Sequence, residues 1–291
     1  MRIGALLLPT DSWPETVIRA RHIEALGYDH LWVYDHLAWR RYHERPWHGI
    51  YPWIAGVAGA TDRIRLGTMV ANPNIRHPLT LAKDVMTIDH ISSGRLTFGI
   101  GAGGTGVDAR ILGQQPLTPG QRADRLIEFV DLFDGLLRGE TTDWAGDYYS
   151  VVDARVVPGC IQKPRVPIAV AATGPRLLRY AAERADAWIT YGHPRDLTPE
   201  GTVKIVAEQL ERLDQACADI GRHPDSIDRI YLIGNTDARP LRSVEAFGEF
   251  MEQYAGLGFT DLVFHHPRSD DPVWDEPDSI VDEIAAQFLG R

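Results

Sequence analysis

The stretch "IRLGTMVANPNIRHPLTLAKDVMTIDHISSGRLTFGIG", residues 64–101, decides the fold. Its opening run, Ile64–Val70, is apolar and short, as a buried strand is. From Pro78 to about Ile91 the pattern is helical, with the proline in the first turn where its missing N–H costs nothing. "RLTFGIG" (95–101) is a strand again. Strand, helix and strand in such a short span make one βαβ unit, whose two strands run parallel.

The same alternation extends in both directions. "IGALLL" (3–8) and "HLWVY" (30–34) are strands, and between them Ser12 caps a helix that Gly27 stops. Downstream, Leu126, Phe129, Val130, Phe133 and Leu137 fall on one face of a helix over about 120–138. "PIAVAA" (167–172), "AWIT" (187–190), "IDRIYLIGN" (227–235) and "DLVFHH" (261–266) complete eight strands. Helices are expected over "PRLLRYAAERA", about 199–220, 243–257 and about 277–289. The strands are apolar on both faces, as a covered parallel sheet requires. The expectation is an α/β chain, a single (β/α)8 barrel domain over residues 1–291; an open doubly wound sheet is the alternative. One interruption is predicted. "DWAGDYYSV" and the proline-rich "PGCIQKPRVP" read as a hairpin inserted around 139–166.

Bulk properties narrow the function. The formal net charge is −10 over 291 residues, with no Lys/Arg cluster, which argues against nucleic acid and anionic membrane surfaces. No apolar run approaches a membrane span. The start, "MRIGALLLPT", lacks a signal peptide core and cleavage site. Cys160 and Cys217 are the two cysteines and form no CxxC pair. A cytoplasmic protein acting on a small molecule is expected.

Barrel enzymes carry their chemistry at the C-terminal ends of the strands. Those ends hold Asp35 and His36, Met69 and Val70, Gly101–Gly104, Ala171–Gly174, Thr190 and Tyr191, and His265 and His266. No H-x-H ends the first strand, so no metal site is expected. No G-x-S-x-G elbow is present. "GIGAGG" (99–104) is a tight turn or a phosphate loop. In "AATGPRLL" (171–178) a strand turns straight into a helix, so Thr173 and the first helical N–H groups can face an anion. His77 and His90 read as structural. Trp39, Trp47, Tyr51 and Trp53 form either a packed cap or an apolar substrate wall.

Together these segments resemble the bacterial luciferase-like superfamily, in particular its branch of deazaflavin (coenzyme F420)-dependent oxidoreductases. The resemblance rests on "ALGYDHLWVYDH" (25–36), the block 64–103, the helix with Arg122, "QKPRVPIAVAATGP" (162–175), "ADAWIT" (185–190) and "YAGLGFTDLVFH" (254–265). It implies a luciferase-like barrel binding coenzyme F420, with FMN as the alternative. It also implies a cis peptide at Met69–Val70 under the ring. His36 and Asp35 would be catalytic, with Asp35 also touching the ring. Met69, Val70, Gly101, Ala102, Gly103, Ala171, Ala172, Thr173, Gly174, Thr190 and Tyr191 would hold the cofactor. By their own positions, after His36 and at the end of the last strand, Trp39 and His265 are expected to meet substrate. Homodimers are common among such relatives. One departure stands out: where sugar-phosphate dehydrogenases of this branch carry an acid after the glycine turn, this chain has Gly104.

Overall fold

The structure, a computed structural model, describes residues 1–39, 42–139, 141–192, 198–234 and 237–290. In chain order the elements are β1 (Arg2–Leu7), α1 (Trp13–Ala25), β2 (His30–Val33), α2 (Ile50–Ala60), β3 (Arg65–Thr68), α3 (Pro78–Ile91), β4 (Leu96–Gly101) and α4 (Pro119–Leu137). Then follow β5 (Thr142–Ala145), β6 (Ser150–Ala154), β7 (Ile168–Ala171), α5 (Pro175–Arg184), β8 (Ala187–Thr190), α6 (Pro199–Asp219), β9 (Asp228–Leu232), α7 (Val244–Leu257), β10 (Asp261–His265) and α8 (Ser279–Phe288). Eight strands close a parallel barrel in the order β1-β10-β9-β8-β7-β4-β3-β2, while β5 and β6 pair only with each other, antiparallel. The closed barrel and the inserted hairpin match the sequence expectation, and the open sheet is excluded.

Two compact units divide the chain. One comprises Met1–Leu7, Arg19–Trp32 and Ala169–Arg291, the other Leu8–Ile18 and Val33–Ile168. In the first, β1 registers Arg2 on Asp261 and Leu6 on His265. Gly4 is required there, because a Cβ would lie 1.8 Å from His30 Nδ1. His30 and Arg2 both bond Asp261, at 3.0 and 2.7 Å. Burial pushes that carboxyl up, but these bonds outweigh it and bring it down to about 2. Trp188, Tyr231, Tyr254 and Phe259 pack as an aromatic core, with Tyr231 and Tyr254 4.2 Å apart between ring centres.

In the second unit, Leu66 registers on Leu96 between β3 and β4. Phe98 of β4 meets Phe133 of α4 at 4.5 Å, and Phe129 lies one turn away. This is the apolar face that the 3.6-residue spacing placed on α4. Thr118 and Gln121 cap its start reciprocally. The proline-rich return after the hairpin is held by buried Asp89, which accepts from Ile161 N–H, Gln162 N–H and Gln162 Nε2.

Helix α2 escapes the sequence reading. "IYPWIAGVAGA" is apolar on nearly every face and has no side-chain cap, so neither periodicity nor capping marks it. Strand ends are shorter than expected: β2 stops at Val33, β9 at Leu232 and β10 at His265. Asn235, the last residue of the expected run 227–235, lies outside the described residues.

Candidate active site

The second unit gathers its polar groups just past the C-terminal ends of β2, β3 and β4. His36 follows β2. Its Nδ1 bonds the carboxylate of Asp108. Asp108 sits on a single 3-10 turn, Val107–Ala109, in the loop after β4. Its other contacts are Leu37 N–H at 2.9 Å and Asn72 Nδ2 at 3.1 Å. Burial raises the Asp108 carboxyl, but the bonds from His36, Leu37 and Asn72 outweigh it and hold it below the usual carboxylate range. An ionised carboxylate only accepts, so Nδ1 of His36 carries a proton, and in the neutral ring the lone pair is on Nε2.

Aromatic rings surround this imidazole. Tyr34, Trp39 and Trp47 lie 5.9, 6.4 and 6.2 Å from it between ring centres, and Tyr42 stacks on Trp39 at 5.8 Å. Trp47 Nε1 donates to His36 O at 2.7 Å, which fixes the backbone of the histidine as well. Trp39 thus lies in the ring cluster that flanks His36.

Asp35 takes a different part from its neighbour. It is 1% exposed. Arg76 grips both its oxygens, Nε at 3.0 Å and Nη2 at 2.7 Å, and Asn72 N–H approaches at 3.3 Å. Arg76 lies 4.7 Å over the ring of Tyr51. Burial, and then the Asp35 charge, push the Tyr51 phenol well above its ordinary value. Asp35 therefore positions the loop after β3, and the carboxylate that orients His36 is Asp108. The adjacency of Asp35 and His36 in sequence suggested a working pair; the chain turns between them and gives each its own partner.

Met69 and Val70 are joined by a cis peptide, as the resemblance implied. Beyond it, Ala71 bridges to Ile100 and receives Gly101 N–H at 3.2 Å. Asn72 Oδ1 accepts from Asn74 N–H at 3.0 Å, and Asn74 Nδ2 donates to Gly104 O at 3.1 Å. Gly103 has φ +74°, and a Cβ there would fall 2.7 Å from Asn72 Oδ1. Of the glycines in "GAGG", Gly103 is therefore explained by this close approach to Asn72 and Asn74. Ala102, between Gly101 and Gly103, is half-buried.

The first unit holds the remaining expected residues. Ala171 ends β7, Ala172 is buried and accepts from Trp188 Nε1 at 2.8 Å, and Thr173 is half-buried. Gly174 is the N-cap of α5 and makes no side-chain cap; a Cβ on it would meet nothing within 4 Å. Thr190 is buried, donating to Gln209 Oε1 at 2.6 Å and receiving Gly192 N–H at 3.1 Å, so its hydroxyl chiefly orders the end of β8. Tyr191 is exposed. His265 is buried with its ring stacked on Trp274 at 4.8 Å, a packed position rather than an open one. His266 beside it is also buried, and its pKa is depressed to about 4 by burial and then by Arg19. Both cysteines are buried.

Asp108 is the partner of His36 that the sequence analysis did not single out. It is 72 positions from His36 in a loop of no regular pattern, four residues past the glycine where an acid was sought. A carboxylate opening a short turn after the glycine run was the only local signal. No three His, Cys, Asp or Glu side chains among the described residues gather as a metal site. No described helix is long and apolar enough to cross a membrane.

A closed parallel barrel with a carboxylate-held histidine past β2 has the architecture of a barrel enzyme. Residues 1–271 match the luciferase-like monooxygenase family, and the chain belongs to that family; it is a luciferase-like oxidoreductase. It is 30% identical to an F420-dependent glucose-6-phosphate dehydrogenase of Beutenbergia cavernae, across 92% of this chain and 91% of that protein. A 4-hydroxyprotoasukamycin monooxygenase of Streptomyces nodosus subsp. asukaensis is 31% identical over 72% of this chain and 55% of its own length. Among solved structures, an F420-dependent secondary alcohol dehydrogenase in complex with an F420-acetone adduct shares the fold, with TM-score 0.81 at 16% identity over 98% of this chain and 97% of that one.

Proposed function

We propose that the protein is a coenzyme F420-dependent oxidoreductase that moves a hydride between the deazaflavin and a small organic alcohol or carbonyl. The observation that carries the reading is the His36 imidazole, held at Nδ1 by buried Asp108 and walled by aromatic rings. The donor set suits such a cofactor. The uncapped start of α5 offers backbone N–H groups, with Thr173 before it and Arg176 in its first turn, as an anionic tail requires. When bound, the deazaflavin supplies the hydride donor or acceptor.

The chain's own part is proton handling. In the oxidative direction Nε2 of His36 takes the hydroxyl proton as hydride leaves the carbinol carbon. In the reductive direction the doubly protonated ring returns that proton to the forming alkoxide oxygen. Asp108 keeps Nε2 aimed outward and stabilises the imidazolium, and proton transfer by a histidine so placed is worth roughly 10²–10⁴ in rate. Tyr34, Trp39 and Trp47 flank the imidazole with apolar faces and favour an apolar substrate. Sugar phosphates are disfavoured, since Gly104 replaces the acid that such relatives carry.

The monooxygenase relative supports a second reading, an FMN-dependent enzyme, in which Thr173 and Arg176 hold the FMN phosphate. A turnover screen separates the two. Reduced F420 with a panel of small ketones and aldehydes should be oxidised without O2 by the wild type, and at least about 100-fold more slowly by His36→Ala. Turnover that needs FMN and O2 would refute the first reading.

A further inference from the structure

Among the described residues, Arg125 of the second unit has no carboxylate paired with it. Arg125 of α4 is only 7% exposed. Its Nη2 donates to Asn74 Oδ1, whereas its Nε is buried and makes no hydrogen bond. The charged or polar groups it feels are Tyr149, Tyr148 and the like-charged Arg122; no acidic side chain among the described residues pairs with it. A guanidinium does not shed its proton, and an unpaired buried charge is costly, so native proteins neutralise such a group.

Two further donors stand nearby, while the neighbouring Glu128 carboxylate is already taken by the backbone N–H groups of Tyr148 and Tyr149. Tyr149, just before β6, is 8% exposed, and its hydroxyl is likewise buried with no partner. Its ring meets the edge of His77 at 5.4 Å and of Phe129, one turn along α4 from Arg125, at 5.5 Å. His77 Nδ1 accepts from Leu79 N–H at 3.2 Å, so the neutral ring carries its proton on Nε2. Arg125, Tyr149 and His77 thus bring one fixed positive charge and two further donors together, from α4, the hairpin and the start of α3.

We infer that Arg125, Tyr149 and His77 form a binding site for one small oxyanion, a phosphate or carboxylate group, distinct from the His36–Asp108 pair. Asn74 links the two: it receives Arg125 and donates to Gly104 O, so an anion on Arg125 braces the glycine turn that runs toward Asp108. The inference stands on the second unit alone and does not depend on which flavin-type cofactor the enzyme uses.

Thermal unfolding of the purified protein in inorganic phosphate, acetate and chloride at matched ionic strength tests it. A saturable rise in Tm with phosphate, acetate or both, and none with chloride, is expected; a phosphate-only response assigns a phosphorylated group and an acetate response a carboxylate. Arg125→Gln should abolish the rise, and Tyr149→Phe should weaken the apparent Kd by about tenfold, the loss of one bond to a charged group. Equal Tm in all three salts would overturn the inference, as would a Tyr149→Phe protein that responds like the wild type. The tyrosine variant leaves the Arg125–Asn74 bond intact and decides the matter even where Arg125→Gln does not fold.

Discussion

Replacing Asp108 by Asn changes the chemistry of His36 while leaving its volume alone. In the wild type the carboxylate accepts three bonds, from His36 Nδ1, Leu37 N–H and Asn72 Nδ2. An asparagine oxygen can still accept from Leu37, but its amide then presents N–H to Nδ1. That favours the opposite tautomer, with the proton on Nε2 and the base facing Asp108's old position. A hydrogen bond to a charged group is worth about 1.5–3 kcal/mol, so the tautomer ratio should shift by about one to two powers of ten. Nitrogen-15 NMR of His36 reads the tautomer directly and needs no substrate. The expected result is protonated Nδ1 in the wild type and protonated Nε2 in Asp108→Asn. With turnover in hand, kcat should fall by about 100-fold or more while cofactor affinity barely moves. An unchanged tautomer, or a kcat within about twofold of wild type, would refute the assignment of Asp108 as the orienting group.

Removing the partner of Asp35 should be felt as stability: Arg76→Ala leaves a fully buried carboxylate unpaired and should cost about 3–5 kcal/mol by urea unfolding, with Arg76→Lys in between. The two site glycines should part company. Gly103→Ala meets both φ +74° and Asn72 Oδ1, and should cost about 1–3 kcal/mol, whereas Gly174→Ala, at φ −97° in open space, should stay within about 0.5 kcal/mol by thermal unfolding. Acid should expose His266, which Arg19, Arg268 and Asp278 face. Its folded pKa of about 4 lies below the unfolded value, so the unfolded chain takes up the proton first. Stability is full above pH ~6.5 and falls by about 3 kcal/mol as pH drops through the window to ~4. A His266→Gln variant should lack that part of the slope in urea titrations across the range.

How much of this could be read from residues alone differs between fold and site. The strand–helix–strand unit at 64–101 was legible because its apolar runs are short, separated and punctuated by Pro78. Repetition of that unit then led to the barrel. His36 was legible because barrel geometry singles out strand ends. The partners were not. Asp35 is bound by Arg76, and His36 by Asp108, across 41 and 72 positions of chain, and no local pattern encodes such long-range pairings. Helix α2 was invisible for the opposite reason: with apolar residues on almost every face, "IYPWIAGVAGA" shows no period at all. The glycines at 101–104 suggested a phosphate loop, whereas Gly103 answers to the crowding of Asn72 and Asn74. Thr190 and His265 sat at the right strand ends, yet packing turns them to internal partners.

Everything proposed for His36 depends on a deazaflavin being the group it serves. Titrating the purified protein with F420 and FMN side by side, following bound cofactor by its absorption, tests this most directly. The expected result is saturable F420 binding at about micromolar or tighter, with FMN at least about 100-fold weaker. Tight FMN binding with none for F420 would contradict it.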